Sequence, residues 1–169
     1  RAVQKAGGDC KGYTDFRDLL GKEKVDTVCI ATPPHWHALI SIAAAQMGYD
    51  VYSEKPMTRF IREGRAAVDA VKQYGRVFQL NTWGNCGNRQ SRDMWKLVTH
   101  GLLGTPVTAV LNRGHGDNFK ITATRNQGVG PLPAVPVPDY LDWDMWLGPA
   151  PYRPYNPRYV DKKFRGYWG

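Results

Sequence analysis

The 169 residues carry 23 Lys and Arg against 15 Asp and Glu, a net charge of +8, with 42% hydrophobic and 22% charged residues. Those are the proportions of an ordinary globular protein, and the length suits one domain or two partial ones. The basic residues are dispersed without a run of five, which argues against a nucleic-acid partner; no apolar run approaches the ~20 residues that cross a bilayer, which argues against a membrane span. Cys10, Cys29 and Cys86 lack any zinc spacing and are read as free thiols. Cys29, in a strand-like run, is expected to be a small core hydrophobe.

In chain order, residues 1–8 read as the tail of a helix closed by Gly7 and Gly8, glycine being the usual residue just past a helix end. Cys10 to Tyr13 suggests a short strand. Thr14 is placed to cap a short helix through Asp15 to Leu20. Asp26 to Ala31 (DTVCIA) is an apolar, β-branched run, the pattern of a strand buried on both faces. Pro33 and Pro34 stop it. A helix follows from about His35 to Met47, with Gly48 as its end. Asp50 to Ser53 is the next strand. Thr58 is expected to cap a helix over Arg59 to Tyr74, with an apolar stripe at Ile61, Ala66, Val68 and Val71. Val77 to Leu80 is a third strand, and a helix from about Arg89 to His100 closes at Gly101.

Strand and helix alternating at this spacing predict parallel βαβ units, joined by right-handed crossovers. The expected fold class is α/β: part of a doubly wound, Rossmann-like parallel sheet over 1–104. After Gly104 the texture changes. Thr105 to Asn112 alternates like a strand with one exposed face, and Pro131 to Pro138 (PLPAVPVP) must be extended. Residues 105–169 read as the start of an α+β substrate domain. Trp143, Trp146, Tyr152, Tyr155, Tyr167 and Trp168 crowd its end. Aromatic faces can receive the C–H faces of sugars, but core packing or an oligomer interface accounts better for most of them.

In open α/β sheets, ligands bind at the carboxyl ends of the strands. Thr32 to His37, Glu54 to Pro56 and Asn81 to Trp83 should therefore converge on one crevice. Lys55 stands out. An ammonium at a strand end can hydrogen-bond a substrate hydroxyl and help its proton leave, and burial would suit it to that task. The alternative is a surface lysine in a salt bridge. His35 and His37 form an H-x-H pair, but no third ligand stands at helical spacing, so no metal is assigned.

The run A-T-P-P-H-W-H opening a helix, followed one βα unit later by V-Y-S-E-K-P, resembles the glucose–fructose oxidoreductase / inositol dehydrogenase / MocA family. The pattern is met by Thr32, Pro33, His37, Gly48, Glu54, Lys55 and Pro56, and D-W-D-x-W-L-G-P-A-P at Asp142 to Pro151 is similar to a branch found beside sugar-acting enzymes. The resemblance implies a nucleotide-binding Rossmann domain, then a mostly antiparallel substrate domain. It also implies hydride transfer between NAD or NADP and a sugar, inositol or related polyol, as in carbohydrate metabolism, and a homo-oligomer at full length. It places Lys55 beside nicotinamide and substrate as the catalytic residue. Thr32 would bind the cofactor or cap the helix. Pro33 would leave the helix N-terminus open to a dinucleotide phosphate. Glu54 would hold the nicotinamide ribose, orient Lys55 or pair with an arginine. Pro56 would set the loop, through a cis bond or an ordinary trans turn. His37 would hydrogen-bond locally near the cofactor, Trp36 would line the pocket or pack, and Trp83 and Arg165 are candidate substrate contacts. The family's Arg after the third strand falls at Asn85 here.

G-x-G-x-x-G is missing from this sequence, so the resemblance implies that the chain starts inside the helix after the family's second strand. The family's later Asp and His would then lie beyond Gly169. A fragment of this kind is expected to be inactive alone. Because the chain opens on Arg1, the sequence assigns no compartment, cytoplasmic or periplasmic. Two other readings stay open: an NAD-dependent glycoside hydrolase of the same fold, and a non-catalytic relative.

Overall fold

The computed structural model describes residues 3, 5, 7–82, 89–105, 108, 110 and 131–160, and divides the chain into two compact units, Arg1–Asn85 and Cys86–Gly169. The division precedes the change of texture near Gly104. No helix among the described residues is long and apolar enough to cross a membrane.

In the first unit, Val3 and Lys5 are helical, and Gly7 and Gly8 follow in the left-handed region, φ 68° and 62°, where glycine is free of steric cost. Residues 10–13 form no strand. This stretch is instead tied down by side chains: Lys11 Nζ donates to Glu23 Oε1 at 2.8 Å, and the Tyr13 hydroxyl donates to the same oxygen. Helix α1 spans Phe16–Lys22, and its N-cap is Asp15, not Thr14; Asp15 accepts from the Arg17 amide at 2.8 Å. A carboxylate one position later takes the role expected of the hydroxyl.

Strand β1 is Thr27–Ile30, helix α2 Pro34–Gln46, β2 Asp50–Glu54, α3 Ile61–Gln73 and β3 Phe78–Asn81. The strands lie parallel in the order β1-β2-β3, as the βαβ spacing requires. Registers pair Val28 with Val51 and Ile30 with Ser53, then Val51 with Phe78 and Ser53 with Leu80. Paired residues share a face, so these rows form one side of the sheet. α2 covers it, and Leu20, Ile30, Ile40, Ala44 and Val51 make the core. α3 packs along α2, with Ala67 and Ala70 buried.

The opposite side carries Cys29, Tyr52 and Gln79, all exposed. β1 is therefore buried on one face only, and Cys29 is an exposed thiol rather than a core hydrophobe. The cause is topological. Successive right-handed crossovers between strands added in one direction place their helices on the same side. The stripe expected on α3 is also displaced: Ile61 is 94% exposed, and the buried residues are Ala67 and Ala70 instead. Thr58 does not cap α3. Its hydroxyl donates to the Phe60 carbonyl, while Glu63 Oε2 accepts from the Phe60 and Arg59 amides.

The second unit contains α4, Arg89–Thr99, with no buried residue, and α5, Trp143–Leu147, capped by Asp142. Residues 132–138 are extended or irregular. Trp143, Leu147, Tyr155 and Tyr159 form its core, and Trp146 packs against it partly buried, so packing claims three of the six clustered aromatics. Tyr152 is exposed, and Tyr167 and Trp168 lie outside the described residues. Most of the strand expected over 105–112 also lies outside them.

Candidate functional site

All three parallel strands end at the same edge of the sheet, so the segments after Ile30, Glu54 and Asn81 open at one level. The first turns at Thr32 and Pro33. Pro33 is the N-cap of α2, in extended conformation, and Pro34 is its first residue; no side chain caps the helix. Thr32 is exposed, and the capping alternative for it is not realised. Proline suits this position because the first helical N–H has no partner within the helix.

At the end of β2, Glu54 is half-buried. Its Oε1 accepts from Asn81 Nδ2 at 2.7 Å, and its Oε2 accepts from the Lys55 amide at 3.3 Å. The Asn81 bond crosses from β2 to its registered neighbour on β3. These partners are an amide and a backbone N–H; among the described residues no arginine pairs with Glu54.

Lys55 is the next residue, and Lys55–Pro56 is a cis peptide bond, one of the two forms open for Pro56. Lys55 is exposed rather than buried, because it follows the last residue of β2, past the stretch that α2 covers. Its ammonium forms no ion pair with any described carboxylate. The salt-bridge alternative for it is therefore not seen.

His37 is 1% exposed. Its Nδ1 lies 2.7 Å from the Pro56 carbonyl oxygen and its Nε2 lies 2.8 Å from that of Thr32. One imidazole thus stands between the loop after β1 and the loop after β2. Sequence reasoning placed His37 beside the cofactor but did not foresee the second loop as its partner. Trp36 packs edge-on against Phe16 of α1, ring centroids 5.5 Å apart, and so serves the core of this unit. His35 stacks obliquely on Trp36. Trp83, Asn85 and Arg165 lie outside the described residues.

Chemically, this edge offers a hydroxyl at Thr32, a carboxylate at Glu54 held by Asn81, and an exposed ammonium at Lys55. That set fits a nicotinamide dinucleotide: carboxylates accept from ribose hydroxyls, and a cation suits phosphate or a reacting oxygen.

Residues 2–82 match the oxidoreductase family model for the NAD-binding Rossmann fold of glucose–fructose oxidoreductase, inositol dehydrogenase and MocA. Residues 87–169 match the same family's C-terminal alpha/beta domain. Levoglucosan dehydrogenase of Pseudarthrobacter phenanthrenivorans is 44% identical over 59 residues, 35% of this chain and 15% of that protein. A glycosyl hydrolase family 109 protein of Shewanella baltica is 29% identical over 89 residues, 53% of this chain and 19% of that protein. The WlbA dehydrogenase of Bordetella pertussis, solved in complex with NADH and UDP-GlcNAcA, aligns at TM-score 0.55 and 28% identity, over 61% of this chain and 32% of its own. The chain spans less than about a third of each of these three proteins. With both parts of one architecture matched in order along nearly its whole length, the chain belongs to the glucose–fructose oxidoreductase / inositol dehydrogenase / MocA family of oxidoreductases.

Proposed function

We propose that the protein oxidises or reduces a sugar, inositol or related polyol with NAD or NADP, using Lys55 at the reacting oxygen. The observation that carries this reading is the exposed Lys55, which pairs with no described carboxylate, directly after Glu54 at the carboxyl edge of the sheet. When bound, the nicotinamide supplies the two-electron hydride acceptor or donor. Lys55 hydrogen-bonds the substrate oxygen and eases movement of its proton; general acid–base help of this kind is worth about 100- to 10,000-fold in rate. Glu54, held by Asn81, receives a ribose hydroxyl. Thr32 binds the cofactor from the neighbouring strand end, beside the start of α2, which no side chain caps. The named functions of the relatives, a levoglucosan dehydrogenase and a dehydrogenase holding NADH and a nucleotide sugar, support a carbohydrate substrate.

A second reading is favoured by the likeness to a glycosyl hydrolase family 109 protein: cleavage of a glycoside with no net change in cofactor. Product analysis separates the two. The full-length protein is incubated with NAD or NADP and a panel of sugars, polyols and aryl glycosides. The dehydrogenase reading expects reduced nicotinamide and oxidised carbohydrate in equal amounts. Release of the aryl alcohol without net cofactor reduction contradicts it.

A further inference from the structure

We propose that His37 is a positioning residue, which sets Lys55 by holding the carbonyl of Pro56; the proposal rests on the catalytic reading of Lys55. Three observations lead to it. His37 is among the most deeply buried polar residues, at 1% exposure, so it is not placed to touch a ligand. Both ring nitrogens face main-chain carbonyls, at 2.7 and 2.8 Å, and no polar ring atom is left over for a cofactor. The two carbonyls belong to different loops. One follows β1, and the other comes one residue after Lys55.

The effect follows from where those loops are anchored. α2 is fixed to β1 and β2 by its buried residues Ile40 and Ala44, and His37 sits in its first turns. Lys55 is exposed, and its ammonium makes no ion pair with a described carboxylate, so its side chain has little else to place it. Its backbone is held on one side by the hydrogen bond that its N–H donates to Glu54 Oε2. On the other side, the described hold is His37 on Pro56. Without that bond the stretch after Lys55 is free to shift. A misplacement of about an ångström costs about 100-fold in a reaction that depends on orientation. Both carbonyls only accept and a neutral ring carries one N–H, so the proposal places that proton on Nδ1, toward Pro56; the Thr32 carbonyl belongs to the loop after β1 and does not bear on Lys55.

The proposal can be tested by side chains whose N–H reaches one carbonyl each. An asparagine amide reproduces the reach of Nδ1 and so donates toward Pro56; a glutamine amide reproduces the reach of Nε2 and donates toward Thr32. In the full-length enzyme with a working substrate, His37→Ala is expected to lower kcat about 10- to 100-fold with a smaller change in cofactor KM. His37→Asn should recover more of kcat than His37→Gln, even if the two melt at the same temperature. Should His37→Ala fail to fold, the Asn and Gln pair carries the test. The proposal is overturned if kcat follows melting temperature across the variants, or if Gln recovers as much as Asn. Lys55→Ala, measured alongside, tells the two readings apart. Loss of turnover there, with no preference for Asn at position 37, removes the positioning role alone. Turnover retained in Lys55→Ala removes the catalytic reading and the positioning role with it.

Discussion

Glu54 shows how contacts to both oxygens, one from a neighbouring strand, turn a half-buried carboxylate into a fixed one. Its position after an apolar run and before Lys-Pro was legible in the sequence, because a strand followed by Pro56 must end there. Its partner was not. Asn81 lies 27 residues away, and only the register of β2 on β3 brings the two together. The same holds for His37, whose contact with the Thr32 carbonyl is local while its contact with the Pro56 carbonyl spans 19 residues. Lys55 was found by its neighbours, yet its exposure was not, since burial at a strand end depends on what covers it. If Asn81 fixes Glu54 toward a ribose, Asn81→Ala removes a hydrogen bond worth about 1 kcal/mol and raises cofactor KM about fivefold. Steady-state titration of NAD or NADP measures this, with kcat changing less. An unchanged KM would separate Asn81 from the cofactor.

At the level of elements, the repeating βαβ pattern was legible because its signals are local: β-branched runs, prolines at the start of α2, and Gly48 and Gly75 at helix ends with φ 88° and 60°. Burial was less so. DTVCIA has the composition of a strand covered twice, but β1 is covered once, and Cys29 faces outward. Residues 10–13 have strand-like composition, yet they are held by an ion cluster. Hydrogen bonds from Lys11 and then Tyr13 keep the Glu23 carboxyl below its ordinary value of 4.5. The hydrogen bond to Glu23 likewise raises Tyr13 above 10.0 and Lys11 above 10.5. The signs fix a window. Glu23 contributes stability above about pH 4.5, lost as pH falls through its depressed value. Tyr13 and Lys11 contribute below about pH 10, lost as pH rises through their raised values. Glu23→Gln should therefore lower the melting temperature slightly near neutral pH and not at strongly acidic pH, the cluster lying at the surface with Lys11 exposed and Glu23 and Tyr13 only half-buried. Thermal scans across pH check this. An equal loss at every pH would mean the carboxylate charge is not involved.

In the molecule as a whole, three parallel strands bring residues 32, 54, 55 and 81 to one edge, although the chain between the first and last is nearly fifty residues long. That convergence needed no long-range information, because parallel strands joined by helices must all end on the same side. The second unit was less legible. Its aromatic residues are shared between a small core of Trp143, Tyr155 and Tyr159 and exposed positions such as Tyr152, and composition alone does not divide them. The account as a whole rests on Lys55 acting at the reacting oxygen rather than holding the cofactor. The most direct test is Lys55→Ala in the full-length enzyme, with turnover and nicotinamide binding measured on the same preparation. Turnover is expected to fall about 100- to 10,000-fold while the cofactor dissociation constant stays within about threefold. Turnover close to that of the unaltered enzyme, or a loss that follows weakened cofactor binding, would contradict the account.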